Sequence, residues 1–323
     1  MTGSGVTLLD AERFSDLVAL GTRAPSLHNT QPWRFRRHRD AVEIFVDPDR
    51  TLPATDPSGW GLRIALGAAA YNVRLGYALL GWRAEAESFP EPDEEHLLVR
   101  VRPAVEQPAT PAERELAAAI PRRHTNRRPY LDTAVPASTL TALARAAEDE
   151  AARLTVLDPR AAGEVIELVR AADEELERRV GYAAERHAWT RGPEGGADGI
   201  REDRLAGRPH PDERLRRRDF GGTAPRRYES DPCLAVLTSS GAGSYDELRA
   251  GQALQHVLLR ATAAGLTSSL YSQPIEVDPV RARLSALCGS GIPQMVLRVG
   301  YGLAHGPTPR RPVHEVVLPE RES

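Results

Sequence analysis

The sequence has few of the residues on which several common kinds of site depend. It contains only two cysteines in 323 residues, Cys233 and Cys288, which have neither metal-ligand spacing nor the spacing of a redox pair. A disulfide framework or a structural zinc site is therefore not expected. The most apolar long stretch, residues 64–82, is interrupted by Arg74, and the first residues lack the pattern of an export signal. We expect a cytoplasmic protein without a membrane span.

Motifs of several enzyme classes are also missing. The sequence has no P-loop, no metalloprotease helix motif, no serine-hydrolase elbow and no calcium-binding loop. Gly300, Gly302 and Gly306 follow a predicted strand, but no helix is predicted after them, which excludes a Rossmann dinucleotide site. A net charge of -3 with 27% charged residues is typical of a globular protein and does not indicate a nucleic-acid partner.

Helical and strand periodicities alternate along the chain, which predicts a layered α/β or α+β core. The predicted helices are residues 8–23, 61–82, 137–150, 161–187, 246–264 and 280–287, and the predicted strands are residues 42–47, 96–101, 154–158, 233–238 and 295–301. The Pro-rich residues 103–111 are the predicted linker.

Residues 189–227 are rich in Gly, Pro, Arg and Asp and are too long for a plain connection. Segments of this kind are lids, binding loops or disordered regions. The candidate anchors of a lid here are Trp189, Ile200, Leu205, Leu215 and Phe220.

An internal repeat is suggested by two helices that are rich in Ala and Leu. When Gly67 is aligned with Gly251, Gly81 meets Gly265, and each helix is followed by a strand. The same alignment pairs Ala69 with Ala253, Val73 with Val257 and Leu75 with Leu259. A chance match of two similar helices is the alternative explanation.

Three stretches carry residues that suit a ligand site. Residues 23–35, RAPSLHNTQPWRF, offer the paired amides of Asn29 and Gln31, which suit a planar heterocycle, although polar capping of a helix end explains them equally. Residues 121–130, PRRHTNRRPY, contain four arginines, which form either an anion site or a solvated basic turn. Arg310 and Arg311 lie in a tail stiffened by prolines, a second candidate for anion binding.

His28 and His124 are candidates for a catalytic role, and a hydrogen-bonded structural role fits each of them as well. The residues alone do not decide between these two roles.

Taken together, these stretches resemble the nitroreductase family of FMN-dependent oxidoreductases, in the order of its Acg-like branch. APSLHNTQPW at residues 24–33 is similar to the family's APSxxNxQPW element, and RRHTNR at residues 122–127 to its basic opening element. GLTSSLYSQPIE at residues 265–276 looks like the segment beside the flavin ring. LRVGYG and PTPRRPV look like the closing strand and the phosphate-binding tail. The resemblance covers most of the chain except residues 189–227.

The resemblance implies an α+β, nitroreductase-like FMN-binding fold. Members of the family form intertwined homodimers with flavins at the subunit interface. Here the Pro-Ser-Asn turn occurs only in the first half and the basic element only in the second. The resemblance therefore implies two half-modules, residues 1–107 and residues 108–323 with a lid-like insertion at 189–227, fused as an intrachain pseudo-dimer that holds one FMN.

The resemblance also implies roles for individual residues. Arg123, Thr125, Arg310 and Arg311 would hold the phosphate and ribityl chain, Ser26 and Asn29 would address the ring, and Arg127 would lie near N1 and the C2 carbonyl. Backbone at residues 274–277 would face N5. The full implied set is Pro25, Ser26, Asn29, Gln31, Arg123, His124, Thr125, Arg127, Gln273, Pro274, Ile275, Glu276, Arg310 and Arg311.

The implied activity is a two-electron reduction of an electron-poor small molecule, such as a nitroaromatic or a quinone, driven by NAD(P)H. The flavin carries the chemistry, so no catalytic side chain and no metal are expected. A protein that stores or sequesters FMN without turnover, and a flavin-dependent dehydrogenase of a biosynthetic intermediate, are the alternatives. The expected partners are NAD(P)H and the small-molecule substrate, and the assembly is either a monomeric pseudo-dimer or a homodimer.

Overall fold

The first part of the chain builds a four-stranded antiparallel sheet. The computed structural model describes residues 8–191, 195–201, 215, 229, 231–289, 291–302 and 308–320. The first elements are α1 (Ala11–Gly21), β1 (Trp33–His38), β2 (Ala41–Val46), α2 (Trp60–Leu79), β3 (Trp82–Ser88), β4 (Leu97–Glu106) and α3 (Pro111–Ala119), with 3₁₀ turns at Leu27–Asn29 and Pro48–Arg50. The strands pair in the order β1-β2-β4-β3.

The second part builds another antiparallel sheet, with strand order β5-β8-β10-β9. Its elements are α4 (Ala137–Glu148), β5 (Arg153–Val156), α5 (Pro159–Arg178), α6 (Tyr182–Ala188), β6 (Thr190–Arg191), β7 (Ile200–Arg201), β8 (Cys233–Ser239), α7 (Ser244–Ala263), β9 (Thr267–Tyr271), α8 (Gln273–Glu276), α9 (Asp278–Cys288), β10 (Ile292–Gly300) and α10 (Val313–Val316). The short strands β6 and β7 pair in parallel outside this sheet. The predicted mixed helix and sheet architecture is confirmed.

The two sheets follow the same plan when β1, β2, β3 and β4 are matched with β5, β8, β9 and β10. Residues of α2 and β3 correspond to residues of α7 and β9 at a constant offset of 184, which is the offset from Gly67 to Gly251. Glu85 of β3 pairs with Arg102, and its counterpart Ser269 of β9 pairs with Arg298. The strand order and the strand register therefore agree in both sheets.

The two central helices, α2 and α7, cross with their backbones in close contact. A Cβ atom added at Gly67 would lie 2.0 Å from the carbonyl oxygen of Leu248, and one added at Gly251 would lie 2.2 Å from that of Ile64. Glycine is needed at both positions because any side chain would force the helices apart.

The hydrophobic core has two main parts, one beneath each sheet. Trp33, Phe35 and Val99 lie in the first part, and Val236 and Leu254 lie in the second. The tail returns to the first part, where Val316 is buried and Leu318 N donates to Phe35 O at 2.8 Å. The tail thus joins the end of the described chain to strand β1.

Three predictions of secondary structure differ from the structure. The predicted helix at 161–187 is two helices, α5 and α6, which are separated by Gly181 in a left-handed conformation at φ 83°. The predicted linker at 103–111 is the end of β4 followed by a loop and the start of α3, which Thr110 and Glu113 cap reciprocally. Strands β1, β3 and β9 were not predicted.

Candidate functional site

A cleft opens between the N-terminal end of α2 and strand β9. It encloses about 1180 Å³ of empty space, including space open to solvent. The lining residues from α2, β9 and the start of α8 are Trp60, Gly61, Ile64, Ala65, Ser269, Leu270, Tyr271, Ser272 and Gln273. The rest of the lining comes from the Pro-Ser-Asn turn, the basic element, the insertion and the tail.

The fold brings most of the sequence-predicted site residues to this cleft. Those that line it are Pro25, Ser26, Asn29, Arg123, Thr125, Arg127, Gln273 and Arg310. Those that lie outside the lining are Gln31, His124, Pro274, Ile275, Glu276 and Arg311. The turn from the first half and the arginines from the second half therefore meet at one cleft.

Two arginines of the cleft lining are held by the backbone that follows α1. Arg310 donates to Thr22 O and Ala24 O at 2.9 and 3.0 Å, and Arg123 donates to Arg23 O at 3.0 Å. Carbonyl groups at a helix C-terminus carry partial negative charge, which favours cations there. These contacts fix both guanidinium groups beside the cleft.

Among the described residues, no carboxylate neutralises these arginines. In the described part of the chain, no ion pair involves Arg23, Arg123 or Arg310, and the Nε of Arg123 is buried without a hydrogen-bond acceptor. Burial, followed by the charge of Arg23, lowers the pKa of Arg123 to about 10. Burial and the charges of Arg123 and Arg23 also lower the pKa of Arg310. The cluster is therefore an electrostatic site for an anion.

The turn that precedes β1 has an unusual backbone. His28, Asn29 and Gln31 adopt left-handed conformations with φ of 50°, 56° and 53°. Such conformations are uncommon outside glycine and cluster at functional sites. The hydroxyl of Ser26 accepts a hydrogen bond from Gln31 N at 3.0 Å, which closes the turn. His28 is buried and lines the cleft.

The amides of this turn bind backbone from two distant segments. Asn29 Nδ2 donates to Gly199 O at 3.1 Å and to Pro309 O at 3.3 Å. Gln31 Nε2 donates to Ala197 O at 2.8 Å. The predicted paired amides thus hold the insertion and the tail against the turn.

Gln31 and Arg311 lie away from the lining because they bind each other. Arg311 N donates to Gln31 Oε1 at 2.9 Å, and its guanidinium group lies 3.3 Å from the buried carboxylate of Asp47. In an extended segment, neighbouring side chains point to opposite sides. Arg310 therefore lines the cleft, whereas Arg311 forms an ion pair with Asp47 in the first half of the chain.

The described part of the insertion covers one side of the cleft. Ile200, which is buried, and Arg201 both line it. Asp198 pairs with Arg50 at 2.9 Å and with Arg191 at 3.3 Å. Both arginines also lie over the ring of Trp189, within 6 Å of its centroid. Of the predicted anchors, Trp189, Ile200 and Leu215 are described, and Leu205 and Phe220 lie outside the described residues.

The segment 265–276 contributes its first part to the cleft and its last part to the core. Ser272 and Gln273 line the cleft, and Ile275 is buried in the second part of the hydrophobic core. Glu276 O accepts a hydrogen bond from Arg179 at 2.9 Å. His124, which also lies outside the lining, has its Nδ1 2.9 Å from Arg122 O.

The contribution of α2 to the cleft was not predicted from the sequence. Gly61 and Ala65 are four residues apart, so they lie on one face of the helix, where small side chains leave space. Trp60 lies beside them and donates to Gln294 Oε1 at 2.7 Å. The spacing of these small residues is a signal that could have identified the slot. Leu254 of α7 and Met295 of β10 also line the cleft and were not predicted.

Other kinds of site find no support in the described residues. They contain no group of three or more His, Cys, Asp or Glu side chains that could hold a metal ion. Within the same part of the chain, every helix is too short or too polar to span a bilayer.

No protein-family profile matches the chain. It is 36% identical to a Mycobacterium tuberculosis protein named provisionally as an NAD(P)H nitroreductase, with 95% of this chain and 92% of that protein covered. It is 31% identical to Acg of the same organism, which has the same provisional name, with 96% of each chain covered. A solved nitroreductase with bound FMN from Desulfitobacterium hafniense DCB-2 matches 64% of this chain and 98% of its own, with a TM-score of 0.43 and 14% identity.

These relatives match nearly the whole chain. The chain belongs to the nitroreductase family, and its relatives within that family include Acg.

Proposed function

We propose that the chain binds one FMN in the cleft and transfers two electrons from NAD(P)H to an electron-poor small molecule, such as a nitroaromatic or a quinone. The observation that carries this proposal is the cluster of Arg123 and Arg310, which lies beside an apolar slot and has no carboxylate partner among the described residues. A phosphate at one end of a planar ring system matches this distribution of charge and apolar surface.

The arginines would hold the phosphate of FMN. The buried Nε of Arg123 lacks an acceptor, and a phosphate oxygen would provide one. An anion would also relieve the mutual repulsion of Arg123 and Arg310, which burial makes stronger. Thr125, whose backbone bridges to Ser268 of β9, adds a hydroxyl to this end of the cleft.

The slot between α2 and β9 would hold the ring. Gly61, Ile64 and Ala65 present small or apolar surface on one side, which suits stacking against a planar heterocycle. Arg127 lines the same cleft and would lie near N1 and the C2 carbonyl, where a cation stabilises the charge of the reduced ring. When bound, FMN supplies the hydride and electron transfer, and the chain binds, orients and shields it.

We also propose that the two sheets are half-modules of an intrachain pseudo-dimer, divided near residue 107. The shared strand order and the constant offset of 184 residues support this. The cleft draws its turn from one half and its basic element from the other. A single chain would therefore provide a complete site without a partner subunit.

A second candidate function is the retention of FMN without turnover. The observation that favours it is the position of Ile200 and Arg201, which line the cleft on a segment anchored by Asn29 and Gln31. A segment fixed in this position would restrict access of NAD(P)H to the ring.

Titration of the purified protein with FMN and with riboflavin tests the proposal. Riboflavin lacks the phosphate, so a site built on Arg123 and Arg310 should bind FMN much more tightly and with a stoichiometry of one per chain. Equal affinity for the two flavins, or binding of neither, would contradict it. Anaerobic mixing of the FMN-loaded protein with NADH or NADPH then separates the two functions. Rapid bleaching of the flavin absorbance supports turnover, and lasting colour supports retention.

A further inference from the structure

Gln273 is the first residue of α8 and lines the cleft, and its side chain is almost completely buried at 2% exposure. Its Nε2 has no hydrogen-bond acceptor anywhere in the structure as described. A buried donor without an acceptor destabilises the folded protein. The fold therefore keeps a polar group here that the described residues do not satisfy.

The internal repeat shows that the fold does not require an amide at this position. The counterpart of Gln273 at the offset of 184 is Phe89, and the two lie in matching Ser-Phe-Pro and Ser-Gln-Pro sequences. The ring of Phe89 packs on that of Tyr245 with centroids 4.8 Å apart. Tyr245 is the counterpart of Gly61, which lines the cleft beside Gln273. Two aromatic rings thus occupy the place where the cleft has a glycine and an unsatisfied amide.

We infer that Gln273 is a positioning residue whose amide donates a hydrogen bond to an acceptor on the edge of the flavin ring, either a carbonyl oxygen or N5. This inference rests on the proposed FMN site. The last torsion of a glutamine side chain turns easily, so the amide can present an N–H to the cleft when an acceptor arrives. The contact aligns the ring in the slot between Gly61 and β9.

Gln273→Met, which keeps the length of the side chain and removes its donor, tests this inference. FMN binding should become weaker, whereas the FMN-free protein should be at least as stable as wild type. The FMN dissociation constant rises by about 3- to 10-fold, because one hydrogen bond to the ring is lost. The urea midpoint of the FMN-free protein stays the same or rises, because an unsatisfied buried amide is removed. The absorbance spectrum of bound FMN also shifts, since its ring loses a hydrogen-bond donor.

Gln255→Met is the matched control. Gln255 is also fully buried, but its Nε2 donates to Asn72 Oδ1 at 2.7 Å, and only its Oε1 lacks a partner. Neither Gln255 nor Asn72 lines the cleft. This variant should lower the urea midpoint and leave the spectrum of bound FMN unchanged. A structural glutamine and a ligand-facing glutamine therefore give opposite results.

Gln273→Glu adds a second test with a pH profile. A carboxylate repels ring acceptors, so FMN affinity should fall further than in Gln273→Met at neutral pH and recover as the pH is lowered and the carboxyl gains a proton. Two results would contradict the inference while the proposed function stands. In the first, wild-type protein binds FMN and Gln273→Met binds it equally well. In the second, wild-type protein binds FMN and Gln273→Met destabilises the FMN-free protein as Gln255→Met does. If wild-type protein does not bind FMN, both are wrong.

Discussion

Gly67 and Gly251 face each other where α2 and α7 cross, and each would strike the opposite helix backbone if it gained a side chain. Contacts around this point are reciprocal. Tyr71 of α2 stacks on His256 of α7 with ring centroids 5.1 Å apart. At the offset of 184, the counterparts of Tyr71 and His256 are Gln255 and Asn72, and these two residues are hydrogen bonded to each other. Such reciprocity is the property of a two-fold interface between identical subunits. It supports the proposal that the chain is a fused pair of half-modules.

Gly67→Ala should destabilise the protein by about 1–3 kcal/mol or more, because the added Cβ forces the two helices apart. The lining of the cleft includes residues of both helices, so FMN affinity should fall as well. Urea unfolding and FMN titration measure the two effects. Leu79→Ala, at an exposed position of the same helix, is the control and should change stability by no more than about 0.5 kcal/mol. Equal stability of both variants would contradict the close crossing.

Arg123→Met should lower FMN affinity by about 10- to 100-fold, the value of charge-assisted hydrogen bonds to a phosphate, with little effect on riboflavin. Arg311→Met is the comparison, because Arg311 pairs with buried Asp47 instead of lining the cleft. It should reduce the free energy of unfolding while the preference for FMN over riboflavin persists. Isothermal titration with both flavins checks this, and a loss of preference in Arg311→Met would return that residue to the phosphate site.

Asp56 should give the stability a distinct pH dependence. Burial raises the pKa of its carboxyl to about 6 from 3.8, although the amides of Leu62 and Gly61 donate to it and oppose the shift. Between about pH 4 and pH 6 the folded protein holds a proton that the unfolded chain releases, so stability falls as the pH rises through this range. Asp56→Asn removes this titration. The difference in unfolding free energy, wild type minus variant, should fall by up to about 3 kcal/mol from pH 4 to pH 7.

The difference between wild type and Asp56→Asn has to be measured because the titration of His256 changes stability with pH in the opposite direction. Burial lowers the pKa of His256 to about 4, so its contribution to stability is lost as the pH falls from about 6.5 toward 4. That contribution is common to both proteins and cancels. Parallel stability curves for wild type and Asp56→Asn would show that the carboxyl is not titrating in this range.

Asp198→Ala should loosen the insertion where it covers the cleft, because the contacts to Arg50 and Arg191 are lost. If this cover limits access to the flavin, NAD(P)H should bleach the variant faster, by up to about fivefold for a partly exposed ion pair. Stopped-flow absorbance measures the rate. Glu164→Ala, which removes an exposed pair with Arg160 on α5, is the control and should react like wild type. Identical rates in all three proteins would rule out control of access by this contact.

Long apolar elements were predictable from the sequence, and half-exposed strands were not. Helices α2 and α7 and strand β10 are long and carry many apolar residues, so they could be identified from the sequence. Strand β1 carries three arginines and strand β3 alternates apolar residues with Arg and Glu. Their pairing with neighbouring strands, rather than their own residues, makes them strands.

The candidate site was partly predictable for a similar reason. Charged residues such as Arg123 and Arg310 could be predicted as candidate site residues from the sequence, because they need an anionic or polar partner. The sequence could not decide which of Arg310 and Arg311 lines the cleft, since that depends on the direction in which the tail crosses the Pro-Ser-Asn turn. The slot in α2 and the unsatisfied amide of Gln273 depend on tertiary packing, which local patterns do not encode.

The path of the tail has a consequence for how the protein matures. The segment that carries Arg310 runs past the cleft and adds Val317 and Leu318 alongside Phe35 of strand β1. The described lining residues on all other segments precede this one in the chain, so a nascent protein lacks the guanidinium group of Arg310 until the tail has been synthesised. Cofactor loading would then follow translation of the tail.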